Sequence, residues 1–237
     1  MTTSRAGGRS WLLALTVAAA VSGAAPARAA YLSFNLNAQS GDGRVSYAGG
    51  SAPLIGKDLG VLGVKGLDTT SHNDATLDLE KGRVNFTTGG FTHATPGDPA
   101  TGSGLVDFFG KGGSLTVTGG IASLGIAPDS PLLTGTFSDG SFVRDLPGTA
   151  LKVTGAAFFN VVNDKLAAYF GLPVGGTMYI GGISTLIASA SPAGGAFVSN
   201  GYTSGQVTTT PVPEPGTLAV FGLFAAGGFA LTRRRAA

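Results

Sequence analysis

Tyr31-Leu32-Ser33-Phe34-Asn35-Leu36-Asn37 is the stretch that decides the fold. Apolar side chains alternate there with serine and asparagine, and a period of two residues is typical of a strand with one buried face. Further strand runs are found at 45–47, 76–79, 84–86, 105–109, 114–118, 132–137, 142–144, 151–162, 177–188 and 206–209. We therefore predict an all-β domain, either an antiparallel β-sandwich or a barrel, because periodicity alone does not choose between them.

Turn and helix signals divide these strands. Glu80-Lys81-Gly82-Arg83 lies between two strand runs and is a candidate hairpin turn. One short helix is predicted from Asn163, as the N-cap, to Phe170. Gly171 and Pro173 would end it, since neither continues a helix well. We expect this helix to be a connection that lies on the sheet.

The first 30 residues have the features of a secretory signal peptide. Arg5 and Arg9 precede an apolar stretch at 11–21, and small residues fill most of 25–30. Cleavage is expected after Ala29 or Ala30, with Ala27 as a second candidate. The sequence thus predicts export through the secretion machinery and removal of the leader by signal peptidase.

The C-terminal residues form a second membrane-directed segment. Pro213-Glu214-Pro215-Gly216 is followed by an apolar run at 217–231, predicted to be a single hydrophobic helix, and then by Arg233, Arg234 and Arg235. Arginines beside a membrane span stay on the cytoplasmic side, which leaves the residues before Gly216 outside. As a helix the run is roughly 24 Å long against about 30 Å of hydrocarbon, which suits temporary retention better than permanent anchoring.

This three-part tail resembles the PEP-CTERM sorting signal of Gram-negative bacteria. Val212-Pro213-Glu214-Pro215-Gly216-Thr217-Leu218 matches the motif, and Arg233 to Arg235 match the basic end. The resemblance implies processing by the membrane protease-transpeptidase exosortase, transient anchoring in the inner membrane, and a link to exopolysaccharide and biofilm. The prolines favour an extended, accessible motif in which Glu214 is a recognition handle. The alternative is an ordinary anchor on a proline-rich stalk.

These segments define four regions of the chain. A signal peptide occupies 1–30, a β-rich extracellular domain 31–207, a Thr/Pro linker 208–212, and the sorting tail 213–237. Residues 31–210 hold nine basic and twelve acidic residues, a formal charge of −3. A body without a basic cluster argues against a nucleic-acid partner. The chain has no cysteine, which excludes disulfides and thiol catalysis.

Residues suited to chemistry are few. His72, Asp74 and His93 would form a metal site only if two loops met. Neither a nucleophile elbow nor a pair of glutamates marks a hydrolase, since Glu80 is the only glutamate of the body. Aspartates that could offer oxygens to calcium are Asp42, Asp129, Asp139, Asp145 and Asp164. Tyrosines that could stack on sugars are Tyr31, Tyr47, Tyr169, Tyr179 and Tyr202, although packing explains them as well.

Three hypotheses for function follow. The favoured one is an exported, non-catalytic surface or extracellular-matrix protein without a cofactor or a catalytic residue, sorted through Pro213, Glu214, Pro215 and the three terminal arginines. The second is a secreted carbohydrate- or calcium-binding β module that carries the same tail. The third is an exported hydrolase, which would need a histidine or an aspartate pair buried in a cleft.

Overall fold

A computed structural model describes residues 29–37, 42–96, 104–138, 141–145, 150–175, 177–189 and 195–212. Within them lie twelve strands: β1 Tyr31–Asn37, β2 Arg44–Tyr47, β3 Pro53–Leu67, β4 Thr76–Asp78, β5 Glu80–Pro96, β6 Leu105–Phe109, β7 Gly112–Gly120, β8 Pro131–Phe137, β9 Ser141–Asp145, β10 Ala150–Val162, β11 Tyr179–Ser189 and β12 Phe197–Pro211. One α-helix, α1 Asp164–Tyr169, and a short 3-10 turn, Ala122–Leu124, complete the described part.

The sheet is antiparallel throughout and returns to its first strand. Hydrogen-bonded neighbours run from β1 through β3, β5, β7, β8, β10, β11 and β12, and β12 then pairs with β1. This confirms the prediction of an all-β fold with one short helix. These eight strands thus form a closed circuit of pairings.

The long strands change partners along their length, which gives the closed sheet two distinct ends. β5 leaves β7 for β6, and β10 leaves β8 for β9. We call the end that contains β2, β6 and β9 the aromatic end. The other, which holds α1, the start of β1 and the last residues of β12, is the helix end. Leu67, the last residue of β3, pairs there with Tyr31.

The interior is filled by the residues that the alternating pattern identifies. Leu32, Phe34 and Leu36 of β1 are buried, as predicted. The same inward series continues on neighbouring strands, for example in Val207 of β12, which pairs with Phe34. Burial of these apolar side chains is the main contribution to stability in a chain without disulfides.

The central strand β3 is the main element that the sequence analysis missed. Glycines at 56, 60, 63 and 66 interrupt its apolar pattern. Two of them make room for rings: a Cβ on Gly56 would lie 2.1 Å from Phe86 Cε1, and one on Gly66 would lie 2.2 Å from Phe170 Cδ1. These glycines are thus sites of close packing rather than turn signals.

Two predicted connections are wrong. Glu80 to Gly82 belong to β5, where the register with β7 shifts and Lys81 adopts a φ of +52°, so this is a bulge and not a hairpin turn. The predicted linker at 208–212 is also shorter, because β12 runs to Pro211. Thr209 is fully buried and pairs with both Leu32 and Gly181. The β-branched threonines suit a strand as well as a stalk.

The helix prediction is confirmed. Asn163 caps α1, since its Oδ1 accepts from the backbone N–H of Lys165 at 3.1 Å and of Leu166 at 3.4 Å. Leu166 and Phe170 are fully buried and fix the helix on the end of the sheet. Gly171 follows with a φ of +67°, a left-handed conformation that ends the helix.

Candidate functional site

The chain enters and leaves the described domain at the helix end. Leu32, near the start of β1, pairs with Thr209, near the end of β12. The backbone N–H of Val212 donates to the carbonyl of Met178 at 2.9 Å, which holds the last described residue against β11. Pro213, Glu214, Pro215, Arg233, Arg234 and Arg235 lie outside the described residues, as does nearly all of the predicted leader. The sorting motif begins at the residue that follows Val212.

A cavity of about 420 Å³ lies at the same end, between α1, the end of β10 and the start of β11. Its lining is mixed, with Val161, Val174, Pro173, Asn163, Asp164 and Tyr179 among the contributors. The polar groups are engaged in local structure. Tyr179 Oη donates to the carbonyl of Pro173, and Asp164 Oδ1 accepts from the N–H of Gly175 at 3.2 Å. These contacts fix the 171–175 connection over β11.

The pKa of Tyr179 is shifted by this environment. Burial raises its pKa above the ordinary value of 10.0, and the charge of Asp164 raises it further. Both effects favour the neutral phenol, which is the hydrogen-bond donor. Near neutral pH the Tyr179 phenol therefore keeps its proton and holds the 171–175 connection through its hydrogen bond to Pro173.

His72 is bound to the helix end by its own contacts. Its Nδ1 lies 2.7 Å from the carbonyl of Tyr169, and the two rings stack with centroids 3.9 Å apart. A carbonyl can only accept, so Nδ1 carries the proton. The hydroxyl of Thr70 also donates, to the carbonyl of Gly171 at 3.0 Å. The role of His72 shown here is to join the loop after β3 to the end of α1.

The structure does not bring His72, Asp74 and His93 together. Asp74 forms an exposed ion pair with Lys65 at 3.0 Å. His93 lies on β5 beyond Gly90, which pairs with Pro53 at the opposite end of β3 from His72. Its ring stacks on Phe108 at 4.7 Å. No cluster of three or more potential metal-binding side chains is present among the residues that the structure describes.

The aspartates proposed as calcium ligands are dispersed. Asp42 and Asp129 are exposed, and Asp129 has a φ of +62°, as turn aspartates often do. The Asp164 carboxylate accepts a hydrogen bond from Gly175 in the 171–175 connection. Asp139 lies outside the described residues, and of Asp145 only the backbone is described.

Three of the five candidate tyrosines belong to the core. Tyr47, Tyr179 and Tyr202 are buried, and the single Tyr202 hydroxyl proton is shared between the carbonyls of Asn37 and Gly60. Tyr169 is half-buried beneath His72, and Tyr31 lies at the start of β1. Packing thus explains the buried three.

Asp107 is a residue that the sequence analysis did not single out. It is fully buried in β6, opposite Val143 of β9. Burial raises the pKa of Tyr47, and the charge of Asp107 raises it further, so the two groups are close enough to interact. A lone aspartate in the apolar run Leu105-Val106-Asp107-Phe108-Phe109 was the available signal.

The outer face of β10, β11 and β12 carries one row of uncharged polar side chains. Thr154, Ser184 and Gln206 lie side by side across the three strands. Shallow grooves of about 530 and 280 Å³ lie along this row. Ser184 and Gln206 line both grooves, and the charged Lys152 lines the larger one. Thr154 lines the smaller groove, and its Oγ1 is buried without a hydrogen-bond partner within the described part of the chain.

No family model, curated protein or solved structure shows significant similarity to this chain. Across the ranges that the structure describes, there is no helix with the length and apolar character needed to cross a bilayer.

Proposed function

We propose that this chain is an exported, non-catalytic surface or matrix protein, processed at a PEP-CTERM tail and associated with exopolysaccharide. The observation that carries the proposal is the order of features at the C-terminus. β12 ends at Pro211, Pro213-Glu214-Pro215 follows at once, and an apolar run and three arginines come next. Exosortase, signal peptidase and the secretion machinery are the partners that this order implies.

The position of Val212 supports access by a membrane protease. The strand ends at the rim of the sheet, and two prolines then favour an extended backbone that a protease can bind. Predicted leader and predicted tail also leave the domain from neighbouring strands. Before processing, both membrane-directed segments would hold the same end of the domain toward the inner membrane.

A substitution in the motif tests this proposal. In the native host we expect Pro213→Ala combined with Pro215→Ala to keep the protein in the membrane fraction, because the extended recognition segment is lost. Pro211→Ala is the matched control, since Pro211 belongs to β12 and precedes the motif. Fractionation followed by immunoblotting against the β domain measures the outcome. Release of the double variant at the wild-type level would contradict the proposal.

A second candidate function is the binding of a neutral polysaccharide. It is favoured by the row of Thr154, Ser184 and Gln206, because the groove-lining hydroxyl and amide groups of Ser184 and Gln206 can exchange hydrogen bonds with the hydroxyls of uncharged sugars. Ser184→Glu should abolish retardation in gels that contain host exopolysaccharide. Val198→Glu adds the same charge at a distant, exposed site and should leave it intact. Equal retardation of both variants would refute this candidate.

A further inference from the structure

Four large apolar side chains are exposed at the helix end. Val161 is 47% exposed, Val174 52%, Met178 54% and Ile180 44%. We call these four residues the exit patch. Val161 and Val174 line the 420 Å³ cavity together. Met178 and Ile180 flank the buried Tyr179, so both point to the outer side of β11.

Two residues of the exit patch, Met178 and Ile180, lie beside the point at which the chain leaves the domain. The carbonyl of Met178 accepts from Val212, and Ile180 pairs with Thr210 of β12. Apolar side chains of this size are costly to leave in water when they are grouped, so a group beside a chain exit indicates a contact surface.

The length of the following chain limits how far this surface can lie from a membrane. Five residue steps separate Val212 from Thr217, where the apolar run begins, and a fully extended chain of that length spans about 18 Å. The headgroup layer on one side of a bilayer is itself roughly 5–8 Å thick. A tail that spans the bilayer from Thr217 therefore keeps Val212, beside the exit patch, within about 10–13 Å of the headgroup surface.

We infer that the exit patch is a membrane-interface contact, which rests the domain on the bilayer while the tail spans it. This inference depends on the proposed function. Asp164 and Lys165, the charged residues of α1, are opposite in sign, so attraction to anionic lipid is not the driving force. The contact is apolar, and its occupant is the glycerol and upper acyl region of the lipids. Cleavage after the body would free the patch from the surface.

A tryptophan reporter tests the contact in the full chain. Trp11 is the only tryptophan, and it lies in the leader, so Trp11→Phe gives a background without tryptophan emission. Met178→Trp reports from the exit patch and Ile180→Trp repeats the measurement independently. Val198→Trp is the matched control, because Val198 is 58% exposed and pairs with β2 at the aromatic end. Each variant is reconstituted in phosphatidylethanolamine/phosphatidylglycerol vesicles with and without lipids brominated near the headgroup.

We expect bromolipid to remove most of the Met178→Trp and Ile180→Trp emission, with a shift to shorter wavelength, and to leave Val198→Trp unchanged. Emission that is unquenched and typical of water would overturn the inference. Unquenched emission at shorter wavelength would overturn it too, since a protein surface would then cover the patch.

Alkaline extraction of the same vesicles separates this inference from the proposed function. A chain that resists extraction but shows no quenching retains its membrane tail, and only the contact is refuted. A chain that is extracted has no spanning tail, and the proposed function fails with the contact.

Discussion

The two ends of the closed sheet are built in opposite ways. At the aromatic end, the ring of Tyr47 packs against Phe91, Phe109 and Phe197 with centroids 5.1–6.3 Å apart. At the helix end, a helix of only six residues covers the sheet, both chain connections leave, and four apolar side chains stay exposed. The ring cluster closes the interior of the first end, although Ile55, Leu105 and Val198 stay exposed on its outer surface. Only the second end combines exposed apolar side chains with both chain connections.

The largest expected effect comes from opening the aromatic end. Phe109 is fully buried and contacts both Tyr47 and Phe91. Phe109→Ala should lower the free energy of unfolding by about 3–5 kcal/mol, through lost burial and a residual cavity. Urea unfolding measures the change. Val198→Ala, at an exposed site, should stay within about 0.5 kcal/mol of wild type. If the free energy of unfolding falls equally little in both variants, the aromatic end is not a packed core.

A smaller effect is expected at a close contact between β3 and the end of α1. Gly66→Ala would place a methyl group against the Phe170 ring and should cost about 1–3 kcal/mol. Gly195→Ala is the control, because a Cβ there meets nothing within 4 Å. In a Phe170→Ala background the cost of Gly66→Ala should largely disappear. Strict additivity in this double-mutant cycle would show that contact with the Phe170 ring is not the reason why position 66 requires glycine.

Loss of the helix cap should have a moderate effect. Asn163→Ala removes the acceptor of the Lys165 and Leu166 amides and should destabilise the domain by about 1 kcal/mol. Amide exchange at these two residues should accelerate, and exchange at the aromatic end should stay slow. Asn163→Asp keeps an acceptor and should behave like wild type. An unchanged exchange rate in Asn163→Ala would mean that packing alone holds α1.

The smallest expected effect is a pH-dependent difference in stability between wild type and Tyr179→Phe. The folded-state pKa of Tyr179 is raised above 10.0, so its contribution to stability is fully present below that pH and is lost as pH rises through the folded-state pKa. Tyr179→Phe should therefore be less stable than wild type near neutrality, and the gap should narrow at high pH. Denaturation midpoints from about pH 8 upward test this. A constant gap would indicate that the phenol does not titrate differently on folding.

The sequence predicted the parts of the fold in which local and global signals agree. Alternation in β1 and the capping signal at Asn163 both identify their elements correctly. β3 is not predicted because Gly56 and Gly66 make room for Phe86 and Phe170, which are distant in sequence. Thr208 to Pro211 have the composition of a linker, and their pairing with β1 and β11 is not visible in the local sequence.

The same limit applies to function. His72 and His93 are both possible metal ligands, but nothing in the local sequence indicates that they lie toward opposite ends of β3. The exit patch, likewise, depends on which strands end together. The sorting motif was different, because its order along the chain is itself the signal. Its residues lie outside the described ranges, so that prediction still rests on the sequence.

The most direct test of the central proposal is the intact mass of the protein recovered from outside its native cells, with both termini mapped, with and without exosortase. Loss of the leader and of the residues after the Pro213-Glu214-Pro215 region, only when the enzyme is present, is the expected result. An exported chain that keeps Arg233 to Arg235 in both cases would contradict the proposal and identify a permanently tethered membrane protein.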